Sequence, residues 1–174
     1  MGYKTYSNFW NLSLSKKIKK KYGMVDLIFS ANTISHIPNL DEVFKAIKLI
    51  LNKDGIFVFE DPYILSVLNN NSYDQFYDEH AHVFSLMAVS KVIEKYKLKI
   101  FDIEKLETHG GSIRYYISHS DSKFKVKKIV KKFLDKEIKS KLNKFNTYKK
   151  FGQRVKKSKK DLRSILLKTK KSGK

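Results

Sequence analysis

"MVDLIFSANTISHIPNLDEVFKAIKLILNKDGIFVFEDPY", residues 24–63, changes its hydrophobic period twice, and those changes decide the fold class. Val25 to Phe29 is almost continuously apolar and ends at small and polar residues, as a buried parallel strand does. A turn at Pro38 and a cap at Asn39 follow. Leu40, Val43, Phe44, Ile47, Ile50 and Leu51 then recur at helical spacing, closed by Gly55. Ile56 to Phe59 is a second apolar run, ending at Glu60, Asp61 and Tyr63. Strand, helix and strand with short connections is a right-handed parallel crossover, the unit of doubly wound α/β folds.

Working outward, residues 14–22 read as the end of a basic amphipathic helix stopped by Gly23. Downstream, "SLMAVSKVIEKYKL" (85–98) predicts a helix. "KIFDIEKLET" (99–108) and "SIRYYISHS" (112–120) predict two strands joined through "HGG", so the sheet ends in an antiparallel pair. From Phe124 the chain is basic and helical. One apolar series runs through Val126, Val130, Leu134, Ile138 and Leu142, and a second through Phe145, Tyr148, Phe151, Val155, Leu162, Ile165 and Leu166. Asn143 to Thr147 marks the break between two helices. Such a pair buries one stripe against a partner surface and keeps its lysines in water.

A chain of 174 residues, 41% apolar, has enough material for one domain with a real core. Its net charge of +20 is unevenly placed: residues 1–122 hold 15 basic and 14 acidic side chains, whereas residues 123–174 hold 22 and 3. The division is therefore a domain over 1–122 and a basic helical connector over 123–174. Only Arg114, Arg154 and Arg163 are arginines, the residue that base-edge readout favours, so specific nucleic-acid binding is not expected. The absence of cysteine excludes disulfides, thiolate zinc sites and a cysteine nucleophile, and agrees with a cytoplasmic setting. No apolar run approaches the roughly 18 residues that a membrane span needs.

Ligands of open parallel sheets bind beyond the carboxyl ends of the strands. Asn32 and His36 follow the first strand, and Glu60, Asp61 and Tyr63 end the second. "YDQFYDEHAHVFS" (73–85) concentrates Tyr77, Glu79, His80 and His82 in the next connection. A neutral imidazole is the best general base near pH 7. Two histidines alone lack the third ligand and the spacing of a metal site, so none is expected. In "THGGSIR" (108–114) the paired glycines admit close backbone approach to an anion, with Ser112 and Arg114 able to complete a phosphate cradle. On residues alone, a polar loop explains the first stretch as well as a site does, and an ordinary hairpin turn is the simpler reading of the second.

The ordered combination of "NTISHIPN", "YDEH" and "HGGSIR" resembles the sugar C-methyltransferases, class I S-adenosylmethionine-dependent enzymes acting on nucleotide-linked deoxysugars. The resemblance implies a partial Rossmann-like class I methyltransferase sheet with a basic C-terminal helical extension, and a nucleotide-sugar substrate. It implies His80 as the base that takes the proton beside a sugar carbonyl, with Tyr77 and Glu79 holding the sugar. It places Asn32 and His36 at the cofactor boundary, and His109, Gly110, Gly111 and Arg114 along the sugar or diphosphate. The chain departs from that family in lacking its cysteine-bound zinc domain and its Gly-rich cofactor loop, since the seven glycines lie at 2, 23, 55, 110, 111, 152 and 173. The expectation is a middle fragment, inactive alone, whose missing cofactor half a companion chain supplies. The reading from another class is a noncatalytic basic module that binds polyanions or a protein partner.

Overall fold

A computed structural model describes residues 2–173. The helix α1 (Leu12–Tyr22) is capped by the Asn11 side chain, and Gly23 ends it at φ 84°. Then come β1 (Val25–Ala31), α2 (Leu40–Ile50), β2 (Leu51–Pro62), α3 (Ile64–Asn70), α4 (Leu86–Glu94), β3 (Leu98–Leu106), β4 (Ser112–His119), α5 (Lys128–Lys139) and α6 (Phe145–Lys171). The sheet order is β1-β2-β4-β3: β1 and β2 are parallel, and β4 lies antiparallel between β2 and β3. The parallel pair and the terminal antiparallel hairpin are both as the periodicity predicts, and the fold is α/β and Rossmann-like.

Alternation along β2 sends Phe57 and Phe59 to one face, where they stack on each other and Phe59 stacks on Tyr115 of β4. Val43, Phe44, Ile47 and Ile50 of α2 cover that face beside Leu86, Val89 and Ile93 of α4. Burying each of these large side chains contributes about 1.5–3 kcal/mol. The opposite face carries a polar row set by strand register, in which Glu60, Arg114 and Glu104 stand directly across from one another.

Several expectations are corrected. β1 is an edge strand, not one buried on both faces: Leu27 is 63% and Phe29 58% exposed. Gly55 does not close α2, because the helix already stops at Ile50 and Gly55 lies inside β2, packed against Leu51. α4 stops at Glu94, since Lys97 takes φ 53° and Leu98 already belongs to β3. The short α3 is not among the expected elements: Ile64, Leu65, Val67 and Leu68 recur at helical spacing and are buried, but the pattern lasts only about two turns over its seven residues.

The C-terminal extension shares the domain core through Val130, Leu142 and Phe151, while Val126, Ile138 and Phe145 stay exposed. In place of Ile138, the second buried position on α5 beside Val130 belongs to Glu137, whose carboxylate accepts from the Leu86 and Met87 N–H groups at 2.6 and 2.8 Å. That carboxylate caps the start of α4 and fastens α5 to it. Beyond Val155, the Leu162, Ile165 and Leu166 stripe of α6 is exposed.

Candidate active site

Because β1 and β2 run parallel, their carboxyl ends adjoin. Asn32, the first residue past β1, takes φ 49° and donates its N–H to the Glu60 carbonyl at 2.8 Å. A single 3₁₀ turn, Ile34–His36, then buries Ile34 and Ser35 and leaves His36 half-exposed. Asp61 fixes that turn from β2: its Oδ1 accepts from Ser35 Oγ at 2.5 Å and Ser35 N at 3.4 Å.

The 73–85 loop is stitched to both strands. Ile64 N donates to the Phe84 carbonyl, and His82 N donates to the Ser35 carbonyl. His82 spends its side chain structurally, with Nε2–H donating to the Pro38 carbonyl and the ring stacking on Phe84. His80 is placed differently. Its Nδ1 lies 2.8 Å from the Gln75 carbonyl, which can only accept, so Nδ1 carries the proton of the neutral ring. Nε2 is then the basic nitrogen, and the Tyr77 hydroxyl donates to it at 3.0 Å. The His36 imidazole meets His80 edge to face at 4.8 Å, and the Tyr77 ring lies 6.5 Å from His36. Glu79 is exposed beside this group. The arrangement can accept a proton at Nε2 and hold it on a ring whose other nitrogen is already oriented.

The second cluster adjoins the first through residues 70–75. Asn70 Nδ2 donates to the Gly110 carbonyl, a Cβ at Gly110 would lie 3.3 Å from Ser72 Oγ, and Gln75 N donates to the Ser72 carbonyl. His109 is exposed at φ 53°, and Gly111 takes φ 116° with no room for a side chain against Ser66. Ser112 Oγ donates to the Thr108 carbonyl, so the turn consumes it internally. Arg114 lies on the polar sheet face, where Nε donates to Glu60 at 2.8 Å and the terminal nitrogen to Glu104 at 2.9 Å. An incoming diphosphate would compete with two carboxylates for it.

Motif reading passed over two members of this constellation, Ser35 and the Gln75 carbonyl, and placed a third, Asp61, only among the polar residues that end the second strand. Asp61 carried a legible signal, because it continues the core-facing alternation of Phe57 and Phe59 and is fully buried. Burial pushes its carboxyl above the ordinary aspartate range, more than Ser35 and the nearby histidines pull it down. The backbone carbonyl of Gln75 carries no sequence signal.

A cofactor bearing a purine nucleoside fits one side of this edge. A mostly apolar cleft of about 320 Å³ opens along β1, lined by Trp10, Ile28, Ile34 and Ile37, with Ser30 and Thr33 adding hydroxyls. The other side lacks its cradle, since no described glycine stands just beyond the carboxyl end of β1 or β2. Among the described residues, no three His, Asp or Glu side chains converge as a metal site. No described helix is long and apolar enough to cross a membrane.

Residues 8–102 match a methyltransferase domain model, and residues 107–174 match the C-methyltransferase C-terminal domain. The C-methyltransferase NovU of Streptomyces niveus is 26% identical over 165 residues, 95% of this chain and 39% of that protein. The chain thus spans well under half the length of this relative. Among solved structures, a SAM-dependent methyltransferase of Anabaena variabilis is 14% identical with a TM-score of 0.45, covering 63% of this chain and 55% of that one. An S-adenosylmethionine-dependent methyltransferase of Clostridium acetobutylicum is 16% identical with a TM-score of 0.42, covering 55% and 58%. With more than half of its residues inside the methyltransferase domain model, the chain belongs to the S-adenosylmethionine-dependent methyltransferase family, and its C-terminal part is of the C-methyltransferase type.

Proposed function

We propose that this chain is the base-bearing, substrate-side part of a C-methyltransferase that methylates the carbon beside the carbonyl of a nucleotide-linked keto-deoxysugar. The observation that carries the reading is His80, with Nδ1–H fixed on the Gln75 carbonyl and Nε2 presented at the carboxyl ends of β1 and β2. When bound, S-adenosylmethionine supplies an electrophilic methyl group. His80 Nε2 would take the proton beside the sugar carbonyl, leaving the C–H electron pair in an enolate, and the methyl would pass to that carbon as its bond to sulfur breaks and the sulfonium leaves as a neutral thioether. Tyr77 moves off Nε2 to let the substrate approach, and its hydroxyl then donates to the oxygen where negative charge develops. Glu79 holds a sugar hydroxyl. Asn32 and His36 border the cofactor, while His109, Gly110, Gly111 and Arg114 line the sugar-diphosphate side, Arg114 after exchanging a carboxylate partner.

A companion segment completing the sheet belongs to the same reading. β1 has an unpaired edge and exposed Leu27 and Phe29, the state of a strand that lacks a neighbour. The 1–122 and 123–174 parts then act together, the second as the connector carrying Glu137 into the first.

Calorimetry with S-adenosylmethionine tests the division of labour. The chain alone should bind it weakly, and micromolar affinity would sink the claim. Mixed with a polypeptide bearing a Gly-rich strand-to-helix loop, it should transfer labelled methyl to a 4-keto sugar nucleotide. Leu27→Lys with Phe29→Lys should abolish that reconstitution without lowering the melting temperature, because both side chains are exposed.

A further inference from the structure

β2 ends in an anomaly of burial. Its core-facing positions run Phe57, Phe59 and then Asp61, each at most 1% exposed, so an ionisable carboxyl stands where a third hydrophobe is expected. Only one of its oxygens is satisfied. Oδ1 accepts from Ser35 Oγ and Ser35 N, whereas Oδ2 is buried with no hydrogen-bond partner. A buried acceptor left open has a cost that a hydrophobe would avoid, which asks what the charge does there.

Its surroundings answer. Ser35 belongs to the turn that carries His36, and the His36 ring lies 4.8 Å from that of His80. The ionisable groups acting on or near Asp61 are His36 from the turn after β1, His80 from the 73–85 loop, and Tyr115 from β4. Tyr115 is fully buried and kept neutral by its burial, so the two imidazoles are the groups within reach that can take up positive charge.

We propose that Asp61 is a positioning and charge-balancing residue for the His36–His80 pair: through Ser35 it holds His36 against His80, and its open Oδ2 offsets positive charge arriving on the two rings. The inference deepens the reading of His80 as proton acceptor and rests on it for its functional meaning. In that reading His80 becomes a cation as the substrate loses its proton, and a buried counter-charge favours that product of proton transfer. It touches no substrate itself.

The test uses neither substrate nor cofactor, so its failure and a failure of methyl transfer are distinguishable. Carbon-13 NMR of the aspartate carboxyls follows the titration of Asp61 in the wild-type chain and in a His36→Gln, His80→Gln variant. Both histidines are half-exposed, so this variant keeps the fold. Loss of the two imidazoles should raise the Asp61 midpoint, a three- to tenfold stronger proton affinity, about 0.5–1 pH unit. An unchanged midpoint overturns the charge-balancing role. In Asp61→Asn, checked for folding by circular dichroism, the nuclear Overhauser contact between the His36 and His80 rings should weaken severalfold. A contact of wild-type strength in a folded Asp61→Asn chain overturns the positioning role.

Discussion

Glu137→Ala probes the junction between α4 and α5. In the wild type the fully buried carboxylate accepts from two backbone N–H groups at the first turn of α4, at 2.6 and 2.8 Å. Hydrogen bonds to a charged group are worth about 1.5–3 kcal/mol each. Desolvation opposes them, since burial raises the Glu137 carboxyl above the ordinary glutamate range despite both bonds. The net loss expected is therefore about 2–4 kcal/mol, with the Leu86 N–H left unsatisfied in the core. A chain of this size loses roughly 2–4 °C of melting temperature per kcal/mol, so thermal unfolding followed by circular dichroism should shift down by about 5–15 °C. The loss should free α5, shown by faster proteolysis at its exposed lysines. A shift under about 2 °C would refute the reasoning, because it would mean that the extension is held by Val130, Leu142 and Phe151 alone.

The same residue gives a pH dependence. A carboxyl whose folded pKa is raised binds its proton more tightly when folded. Its contribution is full below the unfolded value near 4.5 and is lost as pH rises through the folded value. The melting temperature of the wild type should therefore fall relative to Glu137→Gln as pH rises from about 4.5 toward neutrality; a constant gap would contradict it. Gly111→Ala should destabilise by about 1–3 kcal/mol, since φ is 116° and the new Cβ would fall 2.6 Å from Ser66 Oγ; denaturant titration measures this. Arg114→Ala should change stability by less than about 1 kcal/mol, because the ion pairs with Glu60 and Glu104 are partly exposed, while raising KM for a sugar nucleotide in the completed enzyme.

Much of the fold is legible in residues 24–63, because continuous apolar runs and a period of 3.6 alternate there within short connections. The placement of β4 between β2 and β3 is not, since strand order depends on pairings that no local pattern encodes. Exposure of β1 was equally hidden: "VDLIF" reads as buried whether or not a neighbouring strand is present. In the site, Tyr77, His36 and His80 do meet, and His82 is structural as its tandem position left open. Arg114 illustrates the limit. Its motif suggests an anion cradle, but strand register sets it between Glu60 and Glu104, and register is a long-range property. Ser35 and Glu137 escaped, and the burial of Asp61 was hidden, because polar residues on buried faces are found only once the faces are known.

The central claim is that His80 removes the proton beside a sugar carbonyl. Incubating a 4-keto sugar nucleotide in deuterium oxide with the completed enzyme, and following the proton signal at that carbon by NMR, measures this step separately from methyl transfer. The account predicts enzyme-dependent exchange, slowed about 10²–10⁴-fold by His80→Ala with the substrate still bound. Exchange at the wild-type rate in His80→Ala would contradict it.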